Sequence, residues 1–257
     1  MRLTGPGAAF LPYATDVIGL LASGRQAARE AAEVAASRIR IIAVTTAAES
    51  FVPPLMRAFS DQHPGIGLTL DVGNRQRVLD RIRCHGVDVA ILGRPPADER
   101  LVAEPLFENE IVCIAAPDDP AVDNGRLPAA ELGGRAWLLR EHGSGTRALN
   151  EQFLDDHGMA PRTLTLASNG AIKQAARAGL GVSLVSREAV EGELASGRLG
   201  EIRLEDGLPS RMWFVVHSAV GPGRPAVRSF LTFALQQTGG DLGDRGQRAP
   251  AAATRAR

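Results

Sequence analysis

The chain has 257 residues, 44% apolar and 23% charged, which is the balance of a soluble globular protein with enough length for one large or two modest domains. Basic and acidic residues number 29 each, so no global positive field draws it to nucleic acid. Cys84 and Cys113 have no metal-ligand spacing, and no export signal or membrane-length apolar run is present, which sets aside disulfide scaffolds and spanning proteins and points to the cytoplasm.

Thr4-Gly5-Pro6 reads as a helix start, with Thr4 as the cap and Pro6 tolerated in the first turn. Phe10, Leu11, Ala14, Val17, Ile18, Leu21 and Ala22 fall on one stripe of helical period, and an alanine-rich stretch, 27–36, carries the helix on. Pro12 is expected to bend it. No neighbouring segment is an evident partner for the stripe, so pairing with a second copy is expected ahead of docking on the same chain.

From Ser37 the period shortens and segments alternate. Strands are expected over 39–44, 66–72 and 87–92, with helices over 48–63 and 75–84 between them, a βαβαβ pattern that implies a mostly parallel sheet. A strand over 110–116 runs into Pro117-Asp118-Asp119-Pro120, read as the first crossing between domains. Further strands are expected over 136–139, 164–167, 182–185, 199–204 and 212–217, and helices over 146–157, 170–178, 187–196 and 225–236. The last helix should return to the first domain. Residues 238–257 have little to bury and are expected to form a disordered tail. The domain division is therefore a linker and dimerisation helix over 1–36, lobe I over 37–117 and 218–237, and lobe II over 118–217.

Two strand-to-helix junctions carry the chemistry: Leu138 to Arg147 and Leu166 to Gln174. Each passes from an apolar run through small polar residues and glycine into a helical pattern, which aims unpaired backbone N–H groups and a helix dipole at one spot. Ser144, Thr146, Arg147, Ser168 and Asn169 add side-chain donors, and capping alone would also explain Ser144 and Ser168. In two hinged lobes the strand ends face a shared cleft, with Thr45, Thr46 and Arg94 on one wall and Arg140, Ser144, Thr146, Arg147, Ser168 and Asn169 on the other. Such a cleft suits a small anion. Each arginine could instead serve a local carboxylate. His142 lies in the pocket loop, where it could make binding depend on pH; His63, His85, His157 and His217 read as capping or surface residues. Lys173 is read as pointing away, Trp137 and Trp213 as core, and both cysteines as small buried apolar residues. No nucleophile elbow, phosphate-binding Walker loop, zinc motif or complete dinucleotide fingerprint occurs, so no enzyme, metal or cofactor is expected.

Several stretches resemble LysR-type transcriptional regulators, and among them the CbbR-type branch that regulates carbon-fixation operons. They are Val44 to Pro53, Val72-Gly73-Asn74-Arg75, Ile91 to Pro96, Leu139 to Arg147 and Ser168 to Gln174, while Arg2 to Ala14 looks like the family's entry into its linker helix. The resemblance implies an α/β chain of two Rossmann-like lobes of the type II periplasmic-binding-protein fold, preceded by a long helix. It implies a cytoplasmic oligomer, a homodimer or tetramer built through that helix and the lobes. Carried over by position, Thr45, Thr46, Gly93, Arg94, Ser144, Gly145, Thr146 and Asn169 fall where the family lines its effector pocket. In this branch the effectors are typically sugar phosphates, phospho-acids or a reduced nicotinamide nucleotide such as NADPH. The family's winged helix-turn-helix has no counterpart here, so operator DNA is expected as a partner only where that module is supplied. A transport-type solute-binding protein, sharing the lobes and cleft, is the competing expectation.

Overall fold

The change of period at Ser37 is a change of architecture in the computed structural model, which describes residues 3–32 and 37–237. Helix α1 (Gly5–Ala32) runs for 28 residues with Pro12 inside it. The Gly7 amide donates to Thr4 Oγ1 at 3.3 Å, so Thr4 is its cap. Of its residues only Gly19 is buried, while Phe10, Tyr13, Val17, Ile18 and Leu21 are each about two-thirds exposed. At about 100° per residue, Phe10, Ala14, Val17 and Leu21 share one face, and Asp16, Gly19, Ser23 and Glu30 lie on the opposite one. That second face meets the body. The Asp16 carboxylate accepts from Arg100 and lies 2.9 Å from His85 Nε2, and Glu30 pairs with Arg224. A Cβ on Gly19 would come within 2.5 Å of the His85 side chain, so glycine permits this approach.

Lobe I opens with β1 (Arg38–Val44), α2 (Thr45–Glu49), α3 (Val52–Gln62), β2 (Gly67–Gly73), α4 (Arg75–Arg83), β3 (Val89–Leu92) and β4 (Leu101–Glu108). The helix expected over 48–63 is two, because the chain turns at Ser50 and restarts with Pro53 in the first turn of α3. Strand β4 was not expected: Pro105 and the interspersed glutamates hide its alternation. It lies at the edge of its sheet, where a proline costs no ladder hydrogen bond on the open side.

Lobe II holds β5 (Ile111–Ala115), α5 (Pro120–Asp123), β6 (Arg126–Leu127), β7 (Trp137–Arg140), α6 (Gly145–Asp156), β8 (Thr163–Leu166), α7 (Asn169–Arg177), β9 (Ser183–Ser186), α8 (Glu191–Ala195) and β10 (Gly200–Leu204). The chain then returns to lobe I as β11 (Met212–Ser218) and α9 (Pro225–Gln236).

The first sheet has the order β2-β1-β3-β11-β4, with β1 parallel to β2 and β3, and β11 antiparallel to β3 and β4. Alternation in β1 sends Ile39, Ile41 and Ala43 toward Phe59 of α3 and Phe230 of α9, and Ile42 toward Val78 and Ile82 of α4. The second sheet has the order β6-β10-β5-β9, and β7 pairs with β8 beside it, bridging from Trp137 to Val182. Asn150 of α6, fully buried, pins β9 by donating to Leu184 O at 2.8 Å and accepting from Leu184 N at 2.9 Å.

Both lobe boundaries expected from sequence are corrected. Strand β5, assigned to lobe I, pairs with β9 and β10 in lobe II, and β11, assigned to lobe II, completes the lobe I sheet. The crossings are Asn109–Glu110 and 205–211. The Asp119-Pro120 signal is a helix start instead, with Asp119 accepting from Ala121 N at 2.9 Å. Residues 33–36 of the expected linker and the expected tail over 238–257 lie outside the described residues.

Candidate functional site

A cavity of about 50 Å3 lies between the lobes, at the carboxyl ends of the strands. Lobe I contributes Thr45 and Thr46 at the start of α2, Asn74 and Arg75 at the start of α4, and Gly93 and Arg94 after β3. Lobe II contributes Arg140 at the end of β7, Ser144, Gly145 and Thr146 at the start of α6, and Ser186 at the end of β9. Asn109 and Arg211 come from the crossings, and Trp213 from the start of β11.

Among the described residues no side chain caps the α6 terminus. Ser144 precedes the helix in extended conformation and is buried, yet its hydroxyl makes no capping hydrogen bond. Ser168 behaves oppositely: its Oγ accepts from Ala171 N at 3.1 Å, a cap for α7, and it does not line the cavity. Arg147 also lies away from the cavity. It pairs with Glu151 one turn on at 2.7 Å and donates to Arg140 O and Thr165 Oγ1 at 2.9 and 3.2 Å. The structure thus brings Thr45, Thr46, Gly93, Arg94, Arg140, Ser144, Gly145 and Thr146 to the cavity, and leaves Arg147 and Ser168 out. Asn169 lies behind the lining.

Arg140 is only 4% exposed and all three nitrogens of its fork are used: Glu141 takes two, at 2.8 and 3.2 Å, and Asn169 Oδ1 takes the third. Asn169 Nδ2 donates in turn to Thr46 Oγ1 at 2.9 Å. A polar chain Glu141–Arg140–Asn169–Thr46 therefore runs from lobe II into lobe I. Gln76 N to Gly143 O at 3.1 Å, Arg211 to Gly145 O at 3.3 Å and Trp213 Nε1 to Glu188 at 3.4 Å also hold the lobes against each other.

Arg75, Arg94 and Arg211 differ from Arg140. None forms an ion pair among the described residues, and Arg75 Nε instead donates to Arg94 O at 3.1 Å. Burial, then Arg83 and Arg94, pull the Arg75 guanidinium below its ordinary pKa; burial, then Arg94 and Arg75, do the same to Arg211. Three cations therefore repel one another across a small space and leave a net positive field at two helix N-termini. Behind them Glu188 is pushed up by burial, opposed by hydrogen bonds from Ser186 and Trp213.

Asn109, Arg75 and Arg211 were not among the site residues expected from sequence. Gly73-Asn74-Arg75 was legible as a strand end, whereas Asn109 and Arg211 became visible only once the crossings were placed. His142 is exposed on an outer groove with Gln76, Arg77, Arg81 and Cys84, away from the cavity. Lys173 points away, to Ala189 O and Glu193. Trp137 and Trp213 are both buried, Trp213 serving core and cavity wall together. Cys113 is buried, its thiol pushed up to about 12 by desolvation, whereas Cys84 is exposed rather than buried as expected. Among the described residues no helix is long and apolar enough to cross a membrane, and no cluster of His, Cys, Asp and Glu could hold a metal.

Known proteins resemble this chain in sequence and fold. Residues 32–239 match the LysR substrate binding domain. The transcriptional regulator CfxR of Cupriavidus necator is 33% identical over 244 residues, which is 95% of this chain and 77% of that protein. The RuBisCO operon transcriptional regulator of Allochromatium vinosum is 36% identical over 197 residues, 76% of this chain and 65% of that protein. Among solved structures, the regulatory domain of CcmR from Synechocystis, in complex with 2-PG, superposes with a TM-score of 0.73 at 31% identity, covering 77% of this chain and 96% of that one. The family match, the two lobes and the cleft between them agree, and the chain belongs to the family of LysR substrate-binding domains.

Proposed function

We propose that this chain is the sensing portion of a LysR-type regulator of carbon-metabolism genes, and that it closes around a small phosphorylated acid or sugar phosphate held between its lobes. The observation that carries the reading is the meeting of Arg75, Arg94 and Arg211, without carboxylate partners among the described residues, with the uncapped Ser144 hydroxyl and the α6 N-terminus. A dianionic phosphate supplies the charge those arginines lack. The cavity is small, about 50 Å3, which favours a compact phospho-acid over a nicotinamide nucleotide. The likeness to a regulatory domain solved with 2-PG supports the same class.

Occupancy acts on transcription only through differential affinity for open and closed lobes. Thr45, Thr46, Gly93, Arg94, Ser144, Gly145 and Thr146 are the contacts assigned to the ligand, with Arg75 added; Arg140 and Asn169 hold the walls together. The apolar stripe of α1, facing away from lobe I, is assigned to self-association as a dimer or tetramer in the bacterial cytoplasm. Calorimetry with 2-phosphoglycolate, 3-phosphoglycerate, NADPH and glycerol tests the reading. The phospho-acids should bind, with affinity falling as salt rises; binding of glycerol with no response to any phosphorylated compound would overturn it.

A further inference from the structure

The two passages between the lobes are tied to each other, since Asn109 N donates to Arg211 O at 2.9 Å. Each also sends a side chain into the cavity lining. Asn109 is 4% exposed, and its Oδ1 is buried with no hydrogen-bond partner among the described residues. Among the described residues the Arg211 guanidinium has one hydrogen bond, to Gly145 O, and no counter-charge, and its neighbours Arg94 and Arg75 aggravate that deficit. Buried polar atoms ordinarily find partners, so an unsatisfied amide and an uncompensated cation on adjoining crossings together define the complement of something absent. The guanidinium calls for an anionic oxygen. The amide calls for a group that fits whichever of its ends faces inward, and a hydroxyl, both donor and acceptor, fits either, whereas a phosphate oxygen fits only the N–H end.

We propose that Asn109 and Arg211 form a subsite on the hinge itself, which takes a negatively charged ligand group together with a neighbouring hydroxyl and so decides which small anion the cleft accepts. This rests on the reading of the cleft as an anion sensor. Because both residues sit where the chain crosses between lobes, a ligand bound there touches the axis of closure as well as the two walls. Hydroxylated phospho-acids and sugar acids then hold the hinge at two points, and unhydroxylated ones at a single point.

Two probes that differ by one hydroxyl separate the alternatives: 3-phosphoglycerate and its 2-deoxy counterpart, 3-phosphonooxypropionate, titrated calorimetrically into the 257-residue chain with inorganic phosphate as a third probe. The wild-type chain should bind the hydroxylated compound about tenfold more tightly than the deoxy one. In Asn109→Ala that ratio should fall to about twofold or less, while Arg211→Gln should weaken both compounds about tenfold and flatten their salt dependence. If Asn109→Ala does not fold, the wild-type ratio and Arg211→Gln still decide. Equal affinities in the wild type, a preference that survives Asn109→Ala, or binding of inorganic phosphate with neither phospho-acid overturns the hinge subsite and leaves the cleft reading standing. No binding of any of the three overturns both.

Discussion

Removing the Asn169 side chain tests whether the polar chain between the lobes governs closure. In Asn169→Ala, Arg140 loses the acceptor for its third nitrogen and Thr46 loses a donor at 2.9 Å. The bond to the guanidinium is charge-assisted, worth about 1.5–3 kcal/mol, and the one to Thr46 is neutral, worth about 1 kcal/mol. Glu141 still neutralises Arg140 through two contacts, which places the first figure near its lower end. The expected total is therefore a loss of about 2–3 kcal/mol. The two parts report differently. The Arg140 half lies within lobe II and is present whether the lobes are open or shut, so it appears in urea denaturation. The Thr46 half exists only between closed lobes, so it appears as weaker ligand binding, by about fivefold for about 1 kcal/mol. Urea melts and calorimetry with 3-phosphoglycerate, run on Asn169→Ala, Thr46→Val and the double variant, resolve them. The double variant should bind more tightly than the sum of the single effects implies, because both remove one hydrogen bond. Additive losses in affinity, or a stability change below about 0.5 kcal/mol in Asn169→Ala, would refute the reasoning.

Other consequences follow from the same geometry. Leu21→Asp, which places a charge on the α1 stripe, should lower the molecular mass measured by sedimentation without altering ligand affinity; unchanged mass removes that face from the interface. Arg94→Ala should weaken phospho-acid binding about tenfold and reduce its salt dependence, while leaving the urea midpoint unchanged or raised, since it relieves repulsion on Arg75 and Arg211. The Asp88 carboxyl is raised by burial but carried below its ordinary pKa by hydrogen bonds from Arg40 and by the charges of Arg40 and Arg224, so its contribution to stability is present above the ordinary carboxylate range and lost as pH falls through the lowered value. Acid denaturation of Asp88→Asn should accordingly be shallower than that of the wild type. Glu188 has the opposite sign: its raised pKa supplies stability at low pH that disappears as pH rises through that value. Glu188→Gln should therefore melt higher than wild type at pH 8, by an amount that shrinks at pH 5, and a constant difference would show that its ionisation does not matter.

The parts of this fold that were legible in sequence are those in which one residue's role depends on its near neighbours. The alternation after Ser37, the run of β1 and the glycine-bearing entry to α6 were of that kind. The lobe boundaries were not, because the buried run of β5 reads the same in either sheet and only its partners β9 and β10 assign it. The Asp119-Pro120 signal was a true helix start and a false boundary. For Arg147 the local sequence does hold a signal: Glu151 lies four residues on, the spacing of a helical ion pair, and that pairing turns the guanidinium from the cleft. Ser168 obeyed the simpler rule of capping and Ser144 did not, and nothing in either local sequence separates the two. Asn109 and Arg211 could not be found in one dimension, since their relation is a hydrogen bond across 102 residues.

Among the described residues, the ion pairs of α1 with the body end on lobe I: Asp16 on His85 and Arg100, Glu30 on Arg224. Leu20 lies against Gly221, again in lobe I. The helix and lobe I thus share one frame of reference, and the closure proposed above would move lobe II within it. For molecules joined through α1, the joined helices and first lobes are the fixed chassis, and each second lobe is a lever whose fulcrum is the paired crossing. The outer surface of lobe II then carries the output of the machine, and substitutions there should alter what the regulator does with a signal while leaving untouched how well it detects one.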